Sequence, residues 1–430
     1  MLNRKSAPAI HELRHLTLPA PTLTKLDNGM QVYALSYPHQ EILKLEAVFM
    51  AGRAEEQKRL ASRATSRLLR DGTARMTGAE IAETLDFYGA SLSVPTNLDT
   101  SSFVLYGLRK YAEETVPIFA DMLKTPSFPS EEIENFKKNS VQELLVELEK
   151  VETLAYRKLT ELIFGENHPY GYNSTVEDYL AIQRDDLLNY YQAWYRPDNC
   201  TIFVTGNIDE RLLQLLNQQL GQWQPPVKHN PLIANRQWAA PKHQLPTANP
   251  HVLTPARPSL QTAIKVGRGL FNRNHPDFNG LLVLNTVLGG YFGSRLMTNI
   301  REKKGYTYNI YSTVDAYLHD GCLYIATEVS PQKARYALKA IWSEVKKLRE
   351  QPIPDEELSM VRNYMMGMIL NGLDGPINTS DLVRNLIVEK QTPDAFEALV
   401  RTIRDISPAE LQRLASEYLQ EKDFWVVTAG

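Results

Sequence analysis

Cysteine is nearly absent: Cys200 and Cys322 are the only two in 430 residues. Two thiols so far apart make no disulfide framework, so stability must come from apolar cores, and the chain reads as a reduced, cytoplasmic protein. Charge of one sign is also lacking. The 47 basic and 50 acidic side chains leave a formal net charge of -3, which removes the basic footprint that nucleic-acid binding needs. No run approaches the roughly 18 apolar residues of a membrane span, and Met1 to Pro21 lacks the apolar stretch of a secretory leader. What is present is an ordinary globular composition, 43% hydrophobic and 23% charged, in a chain too long for one core. Two domains of about 200 residues are therefore expected.

Proline is unevenly spread. Eight of the 25 prolines fall between residues 220 and 258, a linker composition that divides the chain into 1–219, 220–258 and 259–430. The same order of patterns appears on each side. Gln31 to Ser36 and Lys44 to Phe49 alternate as half-buried strands do, and helical periodicity follows from Arg59 to Arg70; Thr262 to Val266 and Phe278 to Leu288 repeat strand and helix. A hairpin comes next in each half, Ser91 to Tyr106 and Tyr308 to Val329. Each leads into a long helix, Lys110 to Leu123 and Pro331 to Leu348. Ser127-Phe-Pro-Ser-Glu-Glu-Ile133 then matches Gln351-Pro-Ile-Pro-Asp-Glu-Glu-Leu358, a proline turn whose acidic residues suit a helix N-terminus. A helix and a strand close each half: Asp186 to Tyr195 with Cys200 to Thr205, and Pro408 to Tyr418 with Phe424 to Thr428. The repetition predicts an α+β protein of two homologous domains in tandem, each a mostly antiparallel sheet covered by helices on one face.

One segment is more specific. From Leu284 to Ser312 the chain carries Leu-Gly-Gly-Tyr-Phe-Gly-Ser-Arg-Leu and then Arg-Glu-Lys-Lys-Gly-Tyr-Thr-Tyr. This resembles the inverzincin peptidases, the family of pitrilysin, insulinase and mitochondrial processing peptidase. Asp71-Gly-Thr73, Ala51-Gly-Arg-Ala-Glu55, His168-Pro-Tyr-Gly171, Tyr195-Arg-Pro-Asp-Asn199 and Val204-Thr-Gly-Asn207 extend the likeness over nearly the whole chain. The resemblance implies paired α+β domains and, in the short-chain branch, two chains closing as a clamshell around a peptide.

Active members carry H-x-x-E-H on a first-half helix, with two histidines binding zinc and the glutamate activating water. Counted back from Gly72-Thr73, those positions here hold Arg63, Ser66 and Arg67. Guanidinium groups cannot ligate a cation, and a serine cannot take the proton from water. No metal or other cofactor is therefore expected in this chain. The family's third ligand, a glutamate, falls at Glu143 or Glu147; one carboxylate without the histidines reads as an ordinary helix glutamate.

The second half keeps Arg301 and Tyr308, which in the family hold the substrate at the zinc site. They supply a cationic fork and a phenol O–H where a peptide carbonyl becomes an oxyanion. Gly289, Gly290 and Gly293 lack phosphate-loop spacing. They suit a helix end where positive φ or close approach is needed, and they resemble a shortened glycine-rich loop of the non-catalytic processing-peptidase subunit, which implies substrate contact. His11-Glu-Leu-Arg-His15 matches the zincin signature H-E-x-x-H, but it sits among Pro8, Pro19 and Pro21 with no acid or histidine between His15 and Asp27, so a surface turn is expected.

The expected function is the substrate-gripping, non-zinc subunit of a heterodimeric zinc peptidase. Its partner would be a homologous subunit carrying H-x-x-E-H and the zinc, and peptides would be degraded in the closed chamber. The alternative is a non-enzymatic scaffold or peptide-holding protein of the same fold. Whether the chain is an enzyme stays open at this point, and neither nucleic acid nor membrane is expected as a partner.

Overall fold

The computed structural model describes residues 16–224, 246, 250–255 and 259–430. His11 and His15 lie outside the described residues, as does most of the proline-rich span. The first half runs β1 (Thr22–Lys25), β2 (Gln31–Ser36), β3 (Ile42–Phe49), α1 (Ala61–Leu68), α2 (Gly78–Phe87), β4 (Ser91–Ser93), β5 (Ser101–Leu108), α3 (Ala112–Lys124), α4 (Ser130–Leu148), α5 (Val151–Phe164), α6 (Val176–Leu180), α7 (Arg184–Trp194), β6 (Cys200–Gly206) and α8 (Glu210–Leu220). The second runs β7 (His251–Leu253), β8 (Thr262–Leu270), α9 (Phe278–Asn285), β9 (Ile310–Ala316), β10 (Gly321–Val329), α10 (Ala334–Glu350), α11 (Asp355–Gly372), α12 (Gly375–Val388), α13 (Pro393–Asp405), α14 (Pro408–Tyr418) and β11 (Trp425–Ala429).

The halves share one topology. The first sheet is ordered β1-β2-β6-β3-β5-β4 and the second β7-β11-β8-β10-β9. Without β1 the orders superimpose, each with one parallel pair, β2 with β6 and β7 with β11, beside antiparallel neighbours. The α+β duplication read from the sequence is thus present, and β7 adds a strand inside the 220–258 span.

Local chemistry sets the helix starts. Thr77 and Glu80 form a reciprocal capping box at α2, and Ser407 caps α14 ahead of Pro408. One apolar core per half is built from the inner sheet face and its own helices, around Leu45, Leu105, Phe119 and Ile202 in the first and Ile264, Ile325, Ile341 and Leu414 in the second.

A third core joins the halves. Val151, Ala155, Leu159, Ile163 and Phe164 of α5, a first-half helix, pack on Ala263, Trp425, Val427 and Ala429 of the second sheet. Gly267 of β8 makes room: a Cβ there would lie 2.9 Å from Leu159 Cδ2. The exchange is reciprocal, because α12 of the second half meets the first sheet through Asp381 and Arg384. The outer face of each sheet is therefore covered by a helix from the other half.

Candidate functional site

Helix α1 starts under constraint. Leu60, just before it, has φ 69°, a left-handed conformation costly for a bulky side chain. The Glu56 carboxylate holds this turn, accepting from Leu60 N at 3.2 Å and Ser62 N at 3.0 Å and from the Ser62 and Tyr172 hydroxyls. Burial lifts the Glu56 carboxyl above the ordinary range, although Ser62, Tyr172 and Arg53 all pull it down. Arg53 closes the cluster, donating to the Tyr172 carbonyl at 2.6 Å with its guanidinium 3.6 Å from that ring centre.

The wall so positioned bounds a cavity of about 800 Å³ between α1, α4, the start of α5 and the chain after β4. Arg63 and Arg67 face it, one turn apart on α1. Ser66 does not: it is 1% exposed and lies in the core beside the Tyr195 hydroxyl. From α4 come Glu132, Asn135, Asn139 and Glu143, successive positions of one helix face. Glu143 is 3.9 Å from Arg63, whereas Glu147 lies outside the lining and pairs with Lys150 at 2.5 Å. Of the two candidate carboxylates, only Glu143 thus reaches the cavity. Asp71, beyond α1, is pushed up to about 6 by burial, with Arg67 opposing and Glu132 adding to the shift.

The second-half residues lie elsewhere. Arg301 sits in a π-helical turn, Met297–Lys303, with its guanidinium 4.5 Å from the Phe292 ring centre and no hydrogen-bond or ion-pair partner for that group among the described residues. Tyr308 is 90% exposed and lines a 110 Å³ recess with Glu152 and Glu328. Neither residue lines the first-half cavity. None of Gly289, Gly290 and Gly293 has positive φ, so that part of the glycine expectation is corrected. Close approach is what Gly289 serves, since a Cβ would lie 2.5 Å from Ser312 N of β9. Gly290 and Gly293 are exposed and line none of the larger cavities.

Sequence reasoning missed Arg53, Glu56, Asn97, Asn135, Asn139 and Tyr172 in this lining. The α4 members carried a readable signal, polar residues recurring at i, i+4 and i+8 on a helix with an apolar opposite face. The others are gathered by tertiary structure alone.

A model described as insulinase, peptidase family M16, matches residues 38–169, and one described as peptidase M16 inactive domain matches residues 181–365. The chain belongs to peptidase family M16. Among M16 relatives, the uncharacterized zinc protease YmxG of Bacillus subtilis is 25% identical over 316 residues, 73% of this chain and 74% of that protein. A Helicobacter pylori protein named non-peptidase homolog YmxG is 23% identical, covering 81% of each chain. In fold, the crystal structure of a peptidase M16 inactive domain from Pseudomonas fluorescens aligns with a TM-score of 0.85 at 19% identity, over 95% of this chain and 98% of that one.

Within the M16 frame the α1 wall does not fit zinc. Two cationic forks stand at the i and i+4 positions, and the nearby Glu143 faces one of them. Among the described residues no group of three or more His, Cys, Asp or Glu side chains is placed to hold a metal ion, and no helix is long and apolar enough to cross a membrane. What the first half offers instead is a cavity wall rich in hydrogen-bonding groups, without a nucleophile-activating base at Ser66.

Proposed function

We propose that this chain is the non-catalytic, peptide-gripping member of a two-chain M16 peptidase, working in the cytoplasm beside a homologous H-x-x-E-H subunit that carries the zinc. One observation carries the reading: the zinc-helix positions hold Arg63, Ser66 and Arg67 while the second half keeps Arg301 and Tyr308, whose side-chain donors have no hydrogen-bond acceptor among the described residues. Among the described residues the exposed Tyr308 phenol and the Arg301 guanidinium make no hydrogen bond or ion pair, Arg301 only facing the Phe292 ring, as donors serving a second chain would require. The cavity against α1 and α4 supplies room and polar groups for an extended peptide. The edge strand β4 offers backbone hydrogen bonds that tolerate many side chains. Cys200 and Cys322, both buried and unpaired, suit a reducing compartment.

The test is cleavage of a quenched peptide by this chain, by an H-x-x-E-H homologue and by their mixture. The mixture alone should cleave, and Arg301→Ala should slow it by about 100-fold, the usual loss for one oxyanion donor. Cleavage by the lone chain that survives Arg301→Ala defeats the proposal. A second reading, a peptide-holding scaffold without a catalytic partner, is favoured by the likeness to the Helicobacter non-peptidase homolog. It predicts peptide binding with no cleavage in any mixture.

A further inference from the structure

Four guanidinium and four carboxyl groups line the first-half cavity, and half of the cations are already committed. Arg53 is held by Tyr172, and Arg157 donates to the Ser174 carbonyl at 2.7 Å. Arg63 and Arg67 are not. Arg63 has a 3.9 Å contact with Glu143, both side chains being more than half exposed, and its guanidinium lies 5.9 Å from the Tyr179 ring centre; an exposed pair and a ring at that distance are worth little. Arg67 has no hydrogen bond or ion pair among the described residues, and its charge pulls down the carboxyl of the nearby Asp71. Two like charges one helical turn apart repel, a cost that an anion bound between them recovers.

We propose that this wall is a receptor for the free carboxylate at the C-terminus of a bound peptide, gripped by Arg63 and Arg67. This rests on the peptide-holding reading above and adds which end of the peptide is recognised and by what. At i and i+4 both forks reach one carboxylate, and charge-assisted N–H···O bonds are the strong ones. Leu68, Val94, Leu98 and Phe136 supply an apolar part of the lining for the last side chain, while Asn135 and Asn139 offer amide partners to the last peptide groups. Strand β4 is a sheet edge, and Val94, Thr96 and Asn97, which follow it, line the cavity. An extended peptide laid along that edge would end at α1. Asp71, Glu132 and Glu143 stand in the same lining, so the site suits a single negative charge and disfavours a phosphate dianion.

The probe is a nonapeptide ending in leucine with fluorescein on its amino end, made as free acid and as carboxamide, titrated by anisotropy with the full chain. The acid should bind roughly tenfold tighter or better, the range expected for charge-assisted hydrogen bonds. The double variant Arg63→Gln, Arg67→Gln should bind both peptides with the affinity wild type shows for the amide. Both side chains are exposed on α1, so an unchanged circular dichroism melt is expected and confirms folding. Glu143→Gln, which removes a competing carboxylate, should strengthen acid binding alone. Equal wild-type affinities for acid and amide, or a preference that survives in the double variant, overturn carboxylate recognition and leave peptide holding intact. Binding of neither peptide overturns both.

Discussion

Helices α4 and α11 are the same helix copied once, and they now do opposite things. Both follow a proline at the N-cap, Pro129 and Pro354. At the third, sixth, tenth and fourteenth residues α4 presents Glu132, Asn135, Asn139 and Glu143, whereas α11 presents Glu357, Met360, Tyr364 and Met368. The first set lines the polar cavity. In the second, Glu357 is tied to Arg295 by bonds of 2.7 and 2.8 Å, Tyr364 packs against Tyr291 with the rings tilted by 32°, and Met360 and Met368 are about half exposed. The duplication kept the backbone and let the two inner stripes diverge, one toward hydrogen bonding and one toward adaptable apolar contact.

The outer sheet faces diverge as well. Each middle strand buries one lysine, Lys44 in β3 and Lys265 in β8, and each reaches a carboxylate of the other half. Lys44 lies 2.6 Å from Asp381 and 3.1 Å from Glu46, whose side chain is 2% exposed; Lys265 lies 2.8 Å from Glu152, which is 48% exposed. Replacing each lysine with methionine should split the halves. Lys44→Met leaves Glu46 buried with only Arg384, 3.5 Å away, and should cost about 3 kcal/mol. Lys265→Met frees a glutamate that water can reach, and should cost about 1 kcal/mol or less. Denaturant midpoints decide it: equal losses would remove the asymmetry.

Next in size is a pH effect at the seam. Burial, then His319 of the other half, lowers the His168 imidazole to about 4. The unfolded chain takes up this proton near pH 6.5 and the folded chain only near 4, so stability falls as pH drops through that window. Asp71, raised to about 6, works in the opposite sense, its folded form losing stability as pH rises from about 4 to 6. His168→Asn keeps an acceptor for Tyr170 N, 3.1 Å from Nδ1 in the wild type. It should flatten the acid limb of a urea-midpoint profile between pH 7 and 4.5; an unchanged limb would place the titrating group elsewhere.

The smallest effect sharpens the comparison of stripes. Met368→Gln, at a position 54% exposed, should change stability by no more than about 0.5 kcal/mol. It should weaken binding of an apolar peptide by about threefold, roughly the worth of one buried methylene. Asn139→Gln, on the other stripe, should leave that apolar preference unchanged.

The repeated order of strands and helices was readable because periodicity and turn chemistry are local. Pro408 to Tyr418 matches α14 end to end, and Thr262 to Val266 lies within β8. Phe278 to Leu288 starts as predicted, but the α-helix stops at Asn285 and a π-turn takes over through Gly290, a change of hydrogen-bond register that side-chain pattern does not report. Helix α2 went unread although Thr77 and Glu80 spell its capping box. At the site, the replacement of zinc ligands at Arg63 and Arg67 followed from the family resemblance, counted back from Gly72-Thr73. The facing of Glu143 rather than Glu147 did not, because it depends on how α4 lies across α1. The exchange of α5 and α12 was also hidden: an apolar stripe shows that a helix is covered, not which half of the chain covers it.

That exchange means the two halves cannot be parted by cutting the backbone between them. A piece ending at residue 224 would carry α5 with Leu159 and Phe164 bared to water, and its own sheet would lack the helix that neutralises Lys44 and Glu46. Severed in the intervening segment, the molecule should stay clasped as two polypeptides that behave as one, each holding the missing cover of the other.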